Sequence, residues 1–195
     1  MTATAIQEHQ IVPKKGGNGV QKYISWDNFK KIYLHREDIF KYEWLDGIVE
    51  KTPRTMNQNR YYIWGNLKTF LFNLSPKPSN LGELLAEADT FFGKKHRRPD
   101  IAYFDASQMN QMRYTNQEPM FVVEIISDSD QMQRVYTKMS DYRAADVAVV
   151  WHVFPKLREV HVYYGKNMVV CTGDDICSAE LVISGFRMSV KDVFK

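Results

Sequence analysis

The chain has 195 residues, of which 44% are hydrophobic and 25% are charged. These values are typical of a globular protein, and the length suffices for one domain with a sizeable core. The net charge of +3 permits an anionic partner such as nucleic acid without requiring one.

From the sequence we expect neither a membrane span nor a signal peptide. No apolar run reaches the roughly 20 residues that a membrane span needs. The first ten residues lack the basic start and the apolar stretch of a signal peptide. Cys171 and Cys177 do not have the spacing of zinc ligands, which favours structural thiols in a reducing compartment. We therefore expect a cytoplasmic protein without a membrane partner.

The predicted organisation is a disordered tail over residues 1–22 and a single domain over residues 23–195. The tail is polar and contains the stretch Pro13–Gly19, with little to bury. A basic arm that contacts a phosphate backbone is the alternative for this segment.

Helices are predicted at three places in the chain. Ser25 is a suitable N-cap for a short helix that begins at Trp26. A second helix runs from Asn57 to about Leu74, because its apolar residues form one stripe and prolines follow it. A third runs from about residue 130 to residue 144, again with apolar residues on one face.

Strands account for most of the remaining chain. The pattern predicts a hairpin over 42–52 with its turn at Asp46-Gly47, and a second hairpin over 160–171. Single strands are predicted over 84–92, 100–104, 120–127 and 147–153. This order indicates an α/β fold, with one central mixed sheet and helices on its faces. The unit over 120–153 is expected to be parallel and right-handed.

Two carboxylates stand out against this background. Asp100 follows Arg97-Arg98-Pro99, and Glu124 lies inside the apolar run Phe121–Ile126. An ionised carboxylate in such a run is costly unless something pairs with it. One such partner is a divalent metal ion, shared with a carboxylate from the neighbouring strand. The alternatives are a hydrogen bond to a turn for Asp100, and an arginine or a backbone amide for Glu124.

The expected chemistry follows if the two strands are neighbours. Their carboxylates then converge on one ion, and two or three carboxylate oxygens with waters suit Mg²⁺ or Mn²⁺. Such an ion activates water and stabilises the charge that develops on a phosphodiester. A nearby lysine adds a cation that positions the nucleophile or holds the phosphate.

The chain as a whole resembles the Uma2 family, restriction-endonuclease-like proteins of the PD-(D/E)XK nuclease superfamily. The resemblance extends over about residues 25 to 195. Each matching segment is weak alone, but their order and spacing together are specific. The segments are Tyr42–Gly47, the helix from Asn57, Arg98–Ala102, Val123–Ser127, Lys138, Tyr142, Val147, Trp151, Pro155 and Ser184–Phe186.

The resemblance implies a restriction-endonuclease-like fold and metal-dependent cleavage of DNA, with Asp100 and Glu124 as metal ligands. The superfamily usually has a lysine two residues after the glutamate, where this chain has Ile126. The family uses a lysine on the following helix instead, and this maps to Lys138. Glu43 matches a family glutamate and is a candidate further acidic contact. Many enzymes of this fold pair up, so a homodimer is also implied.

Two further groups of residues are candidates for the site. Glu87 and Asp89 alternate on the predicted strand 84–92, and one of them is expected to face the metal. A basic turn precedes Asp100 and, with Arg60 near the start of the predicted second helix, is a candidate for phosphate contact. A solvated surface turn is the alternative for this run. The basic residues of the turn are Lys94, Lys95, Arg97 and Arg98.

Two competing functions remain open on the sequence. One is a nuclease fold whose catalytic set has decayed, which then acts as a nucleic-acid-binding or protein-interaction module. The other is a structural homodimer that lacks a concave acidic pocket at Asp100. Binding of Mn²⁺ that depends on Glu124 distinguishes the nuclease from the decayed module.

Overall fold

The computed structural model describes residues 23–54, 58–127 and 130–195. The chain forms two compact units, residues 1–54 and residues 55–195. The predicted disordered tail lies outside the described residues, and the expectation of a single domain over 23–195 stays a prediction. Within the described ranges, no helix has both the length and the apolar character required to cross a bilayer.

The described residues of the first unit, 23–54, form a short helix and one hairpin. Helix α1 (Trp26–Phe29) continues as a π-helix (Lys30–Leu34), and strands β1 (Phe40–Leu45) and β2 (Ile48–Pro53) pair antiparallel. The Ser25 side chain accepts a hydrogen bond from the backbone N–H of Asn28 at 3.3 Å, which confirms the predicted cap. Asp46 and Gly47 both have positive φ, as a two-residue hairpin turn requires.

The second unit holds the larger sheet and four helices among its described residues. Helices α2 and α4 are close to the predicted second and third helices. The elements are α2 (Gln58–Phe72), β3 (Glu83–Ala86), β4 (Thr90–Phe92), β5 (Lys95–Arg97), β6 (Ile101–Phe104), α3 (Ala106–Gln111), β7 (Phe121–Ile125), α4 (Met132–Ala144), β8 (Val149–Phe154), β9 (Glu159–Tyr164), β10 (Asn167–Thr172), β11 (Ile176–Ser178), β12 (Arg187–Ser189) and α5 (Val190–Val193).

The larger sheet has six strands in the order β10-β9-β8-β7-β6-β3. Strands β7 and β8 pair in parallel, and helix α4 connects them, as the sequence predicts. The other neighbours in this sheet pair antiparallel. The predicted mixed α/β fold with a central mixed sheet is therefore confirmed.

The two faces of this sheet pack against different helices. Alternate side chains of β7, Phe121, Val123 and Ile125, belong to the large core that also contains the buried residues of α2. Val122, on the opposite face, packs with Met139 and Tyr142 of α4. Glu124 shares the face of Val122, because side chains alternate along a strand. The strand therefore directs the carboxylate of Glu124 towards the α4 side of the sheet.

The prediction of one strand over 84–92 was wrong. The chain makes two strands, β3 and β4, and Glu87 between them has a left-handed backbone with φ of +48°. The intervening residues, Glu87, Ala88 and Asp89, are alanine or acidic and therefore poor strand formers. The basic segment that follows was also predicted as a turn throughout, but its residues 95–97 form strand β5, which pairs antiparallel with β4.

Two glycines give a matched test of the packing in the second unit. A Cβ at Gly82 would lie 1.8 Å from the carbonyl oxygen of Phe104, whereas a Cβ at Gly65 in α2 meets nothing within 4 Å. We expect Gly82→Ala to lower the free energy of unfolding by at least about 2 kcal/mol. Gly65→Ala should raise it by about 0.5–1 kcal/mol, because alanine favours a helix.

Urea unfolding followed by circular dichroism measures both changes. Equal effects of the two substitutions would contradict the close approach of Gly82 to strand β6.

Candidate active site

Asp100 lies immediately before strand β6, and its buried carboxylate contacts the backbone of β7 and a side chain of α2. Its Oδ2 accepts a hydrogen bond from the backbone N–H of Ile125 at 2.8 Å. Its Oδ1 lies 3.0 Å from Nη1 of Arg60 on α2. The backbone bond holds the carboxylate next to Glu124, and the ion pair offsets the cost of burying its charge.

Glu124 receives hydrogen bonds from two side chains of α4. The ammonium of Lys138 donates to its two carboxylate oxygens at 3.0 and 3.1 Å, and the hydroxyl of Tyr142 donates to Oε1 at 2.5 Å. Lys138 and Tyr142 are four residues apart, so they lie on one face of the helix. Charge-assisted bonds of this kind stabilise a buried carboxylate and fix its orientation.

The sheet register places the acidic residues side by side. Ile101 pairs with Val123 across β6 and β7, and the next position in this antiparallel register sets Asp100 opposite Glu124. Towards the edge of the sheet, the backbone N–H of Glu87 donates to the carbonyl of Asp100 at 3.1 Å. Three acidic residues therefore occupy successive positions across β3, β6 and β7, although Glu87 and Asp100 lie just outside their strands.

The same row continues across the other half of the sheet. Glu124 pairs with His152 of β8, His152 pairs with His161 of β9, and His161 pairs with Val170 of β10. Residues directly opposite each other in a sheet share a face. The row thus runs from the acidic residues through two imidazoles to the edge strand, on the side of α4.

His152 is buried, with 4% of its surface exposed. Its Nε2 has no hydrogen-bond partner in the part of the chain that the structure describes. Burial is the main cause that lowers the pKa of His152 from 6.5 to about 4, and the positive charges of His161, Lys138 and Arg143 add to it. His152 is therefore a neutral imidazole beside the acidic pair at neutral pH.

His152 was missed in the sequence, although a signal for it was present. It is the fourth residue of Val149–Val153, as Glu124 is the fourth residue of Phe121–Ile125, and each is the one polar residue of its run. In-register parallel strands bring such residues opposite each other. The comparison of the two runs could have found this neighbour of Glu124.

The site offers two carboxylates as donors to a divalent metal. Among residues 23–54, 58–127 and 130–195, no group of three or more His, Cys, Asp and Glu side chains has the arrangement of a metal site. The carboxylate oxygens of Asp100 and Glu124 are nonetheless the hard donors that Mg²⁺ and Mn²⁺ prefer, and such ions keep several waters. The donor set fits such an ion if Arg60 and Lys138 each release a carboxylate oxygen.

The basic segment before Asp100 divides into exposed and buried residues. Lys94 is exposed, but Arg97 is fully buried, and its Nε and Nη2 lie 2.9 and 2.5 Å from Oδ2 of Asp141 on α4. Lys95 is half-buried and pairs with the other oxygen of Asp141. The charge of Arg97 thus anchors α4 to β5 instead of facing solvent.

The remaining candidates lie in three places. Asp89 pairs with His96 at 2.8 Å and with Arg98 at 3.2 Å, so it belongs to a local network around β5. Oε1 of Glu87 lies 3.9 Å from Nη1 of Arg60, so Glu87 is close to the ion pair that Arg60 forms with Asp100. Glu43 is a buried residue of β1, in the other compact unit. The roles of these residues stay predictions.

Comparison with known proteins identifies the family. A family model, Uma2, described as "Putative restriction endonuclease", matches residues 26–191. The chain belongs to the Uma2 family. The resemblance drawn from the sequence motifs is therefore confirmed, and the family description supports a nuclease.

Among solved structures, the chain is similar to a protein titled "a putative nuclease belonging to DUF820" from Anabaena variabilis ATCC 29413. The TM-score is 0.72 at 20% identity, over 88% of this chain and 97% of the other. At this identity the similarity shows that the two proteins share a fold. No curated protein matches the chain.

The buried imidazole of His152 makes the stability of the protein depend on pH. Because its pKa is lowered from 6.5 to about 4, the unfolded chain takes up a proton first as the pH falls. The stabilisation is complete above pH 6.5 and is lost between pH 6.5 and pH 4. Since one pKa unit corresponds to about 1.4 kcal/mol, the loss approaches about 3 kcal/mol.

Urea unfolding of the wild type and of His152→Gln over this pH range tests this expectation. The wild type should lose more stability than the variant as the pH falls. His35→Gln, at an exposed histidine, serves as the control and should keep the pH dependence of the wild type. An unchanged slope in His152→Gln would show that His152 is not buried as a neutral group.

The ion pair of Asp141 and Arg97 can be compared with an exposed one. Asp141→Ala removes the carboxylate from a buried guanidinium and should cost about 3–5 kcal/mol of unfolding free energy. Asp174→Ala breaks the exposed pair with Lys191 and should cost at most about 1 kcal/mol. Chemical denaturation at pH 7 measures both values, and similar losses would contradict a buried anchor between α4 and β5.

Proposed function

We propose that the protein is a metal-dependent endonuclease that hydrolyses phosphodiester bonds of DNA. The observation that carries this proposal is the placement of Asp100, just before β6, opposite Glu124 of β7, with Lys138 on both oxygens of Glu124. Membership of the Uma2 family supports a nuclease, and the family description, a restriction endonuclease, supports DNA as the proposed substrate.

Asp100 and Glu124 are the proposed ligands of Mg²⁺ or Mn²⁺, with waters or phosphate oxygens completing the shell. When bound, such an ion lowers the pKa of a coordinated water and stabilises the negative charge that develops on the phosphate. Oδ2 of Asp100 accepts the hydrogen bond from the backbone of Ile125, and Oδ1 pairs with Arg60. Oδ1 is therefore the proposed metal ligand, and it would bind the ion in place of Arg60.

Lys138 is the proposed cation of the reaction. Its ammonium is half-buried at the carboxylate of Glu124, where a fixed positive charge stabilises an anionic nucleophile or phosphate more than it would in water. Tyr142 acts as a positioning residue, because its hydroxyl holds Oε1 of Glu124 while Lys138 turns towards the substrate.

Phosphate contact is proposed for the basic residues near Asp100. Arg60 is the best placed, since a guanidinium released from Asp100 matches a phosphate in geometry and charge. Lys94, Lys95 and Arg98 are the further candidates. Arg97 does not join them, because its guanidinium is buried against Asp141.

Cleavage assays test the proposal directly. Supercoiled plasmid, linear duplex, single-stranded DNA and RNA are incubated with Mg²⁺ or Mn²⁺, and the products are resolved on gels. Glu124→Gln and Asp100→Asn should each reduce the cleavage rate at least about 100-fold, because each removes a charged ligand. Glu180→Gln, at an exposed glutamate, should cleave as the wild type does.

Thermal unfolding of each variant shows whether the fold survives. Folded wild-type protein that cleaves none of these substrates with either metal would overturn the proposal. Cleavage that persists in folded Glu124→Gln and Asp100→Asn would overturn the assignment of the site.

The competing function is a nucleic-acid-binding or interaction module on the same scaffold. The ion pair between Arg60 and Asp100 favours it, because a guanidinium already neutralises one proposed ligand. Calorimetric titration with Mn²⁺ separates the two functions. A nuclease site binds the ion in the wild type and loses it in Glu124→Gln, whereas a decayed site shows no binding that depends on Glu124.

A cytoplasmic location and a homodimeric assembly complete the proposal. The location is supported by Cys171 and Cys177, which are buried free thiols, as expected in a reducing compartment. Burial raises the pKa of both thiols, so they are protonated and unreactive at neutral pH. The homodimer rests on the family resemblance.

A further inference from the structure

Strand β10 forms one edge of the six-stranded sheet and exposes three consecutive apolar residues. Met168, Val169 and Val170 are 52%, 43% and 46% exposed. The opposite edge is short and begins at the exposed, charged Glu83 of β3, as edges that avoid pairing commonly do. Strand β10 has six residues and contains no charge and no proline, so it lacks these protections.

The backbone of β10 presents hydrogen-bonding groups outwards at alternate residues. The hairpin of β9 and β10 closes with Tyr164 opposite Asn167, which is the hydrogen-bonded pair of a two-residue turn. By alternation, the N–H and C=O groups of Met168, Val170 and Thr172 point away from β9. Thr172 agrees with this, because its N–H donates to Oδ2 of Asp175 and its C=O accepts from the N–H of Asp175. Met168 and Val170 thus supply the outward groups of the edge.

The charges at the two ends of β10 are opposite. Lys166 precedes the strand, and Asp174 and Asp175 follow it after Gly173. An antiparallel pair of two identical strands brings each lysine near the aspartates of the other strand, whereas a parallel pair brings like charges together. The side chain of Asp174 is 82% exposed although it pairs with Lys191, so its carboxylate is accessible to a lysine of a second chain.

We propose that β10 pairs antiparallel with β10 of a second copy of this chain. The pairing is centred on Val169, so that Met168 of each copy lies opposite Val170 of the other. The outward N–H and C=O groups of these two residues then form four hydrogen bonds between the copies, while Thr172 keeps its bonds to Asp175. The two sheets become one sheet of twelve strands, and the exposed apolar side chains are covered in part by their counterparts.

This arrangement has a consequence that rests on the proposed function. Opposite residues share a face, so both copies of Glu124 lie on the same side of the joined sheet. Seven strand spacings of about 4.8 Å separate the two β7 strands, or roughly 34 Å. One helical turn of duplex DNA has about this length. The dimer thus presents two sites to one duplex and is expected to convert nicks into double-strand breaks.

The mass of the protein in solution tests the interface without any reference to cleavage. Sedimentation equilibrium of the wild type should give twice the 22.9 kDa of one chain. Met168→Lys with Val170→Lys in one protein should give the mass of a single chain at the same concentration, because four like charges then meet at the edge. Leu157→Lys, at a residue 62% exposed, is the matched control and should stay dimeric.

A cysteine at the two-fold position tests the register. Val169 of the two copies should form a non-hydrogen-bonded pair, whose Cβ atoms lie close enough for a disulfide. Val169→Cys should therefore give a covalent dimer under mild oxidation, whereas Leu157→Cys should give none beyond the wild type.

A monomeric wild type, or a lysine variant that stays dimeric, would overturn the proposal. A dimer that Val169→Cys does not cross-link would overturn the register. Because mass and cross-linking do not require catalysis, they remain decisive if the protein proves not to cleave DNA. Loss of cleavage with an intact dimer would instead count against the nuclease alone.

Discussion

The buried carboxylate of Glu124 is the constraint on which the site depends. An unpaired charge at this position in an apolar strand would cost several kcal/mol. Hydrogen bonds from Lys138 and Tyr142, which lie one helical turn apart on α4, offset this cost. The same contacts fix the rotation of α4 on the sheet, so that Met139 and Tyr142 pack against Val122 on the face of the carboxylate. One interaction therefore serves both the packing of the helix and the chemistry proposed for it.

Helix α4 is held on a second side by another buried charge pair. Asp141 lies between Lys138 and Tyr142 in the sequence, and it binds Lys95 and Arg97 of β5. The helix thus connects the central sheet to the β4–β5 hairpin through ionic contacts as well as apolar ones. A site that needs Lys138 within reach of both Glu124 and a substrate benefits from a helix anchored in this way, because rigid support maintains catalytic geometry.

The charge balance of the site also follows from this arrangement. Asp100 and Glu124 bring two negative charges together, and Arg60 and Lys138 bring two positive ones. Without Arg60 and Lys138, the two neighbouring carboxylates would repel each other. A divalent cation has the charge needed to take over both carboxylates, which would free Arg60 and Lys138 for an anionic substrate. His152 adds a neutral ring beside the pair and so leaves this balance unchanged at neutral pH.

The sequence by itself determined the local elements and the two carboxylates. Hairpin and helix signals such as Asp46-Gly47 and the cap at Ser25 depend on neighbouring residues alone, and the structure has them where they were predicted. Glu124 was visible because a charge inside an apolar run is unusual. Lys138 was found through the family motif, since no local pattern distinguishes it from a solvated lysine.

The tertiary structure decided which partners these residues have. Arg97 and Asp141 are 44 residues apart, so a basic run read as a surface turn gave no sign that one of its arginines was buried. Arg60 and Asp100 meet because α2 and β6 pack in the same unit, and His152 meets Glu124 because β7 and β8 are in parallel register. Pairings between distant segments depend on strand order and helix rotation, which the packing of the whole core sets. The sequence therefore determined which residues carry charge, and the tertiary structure determined which of them pair.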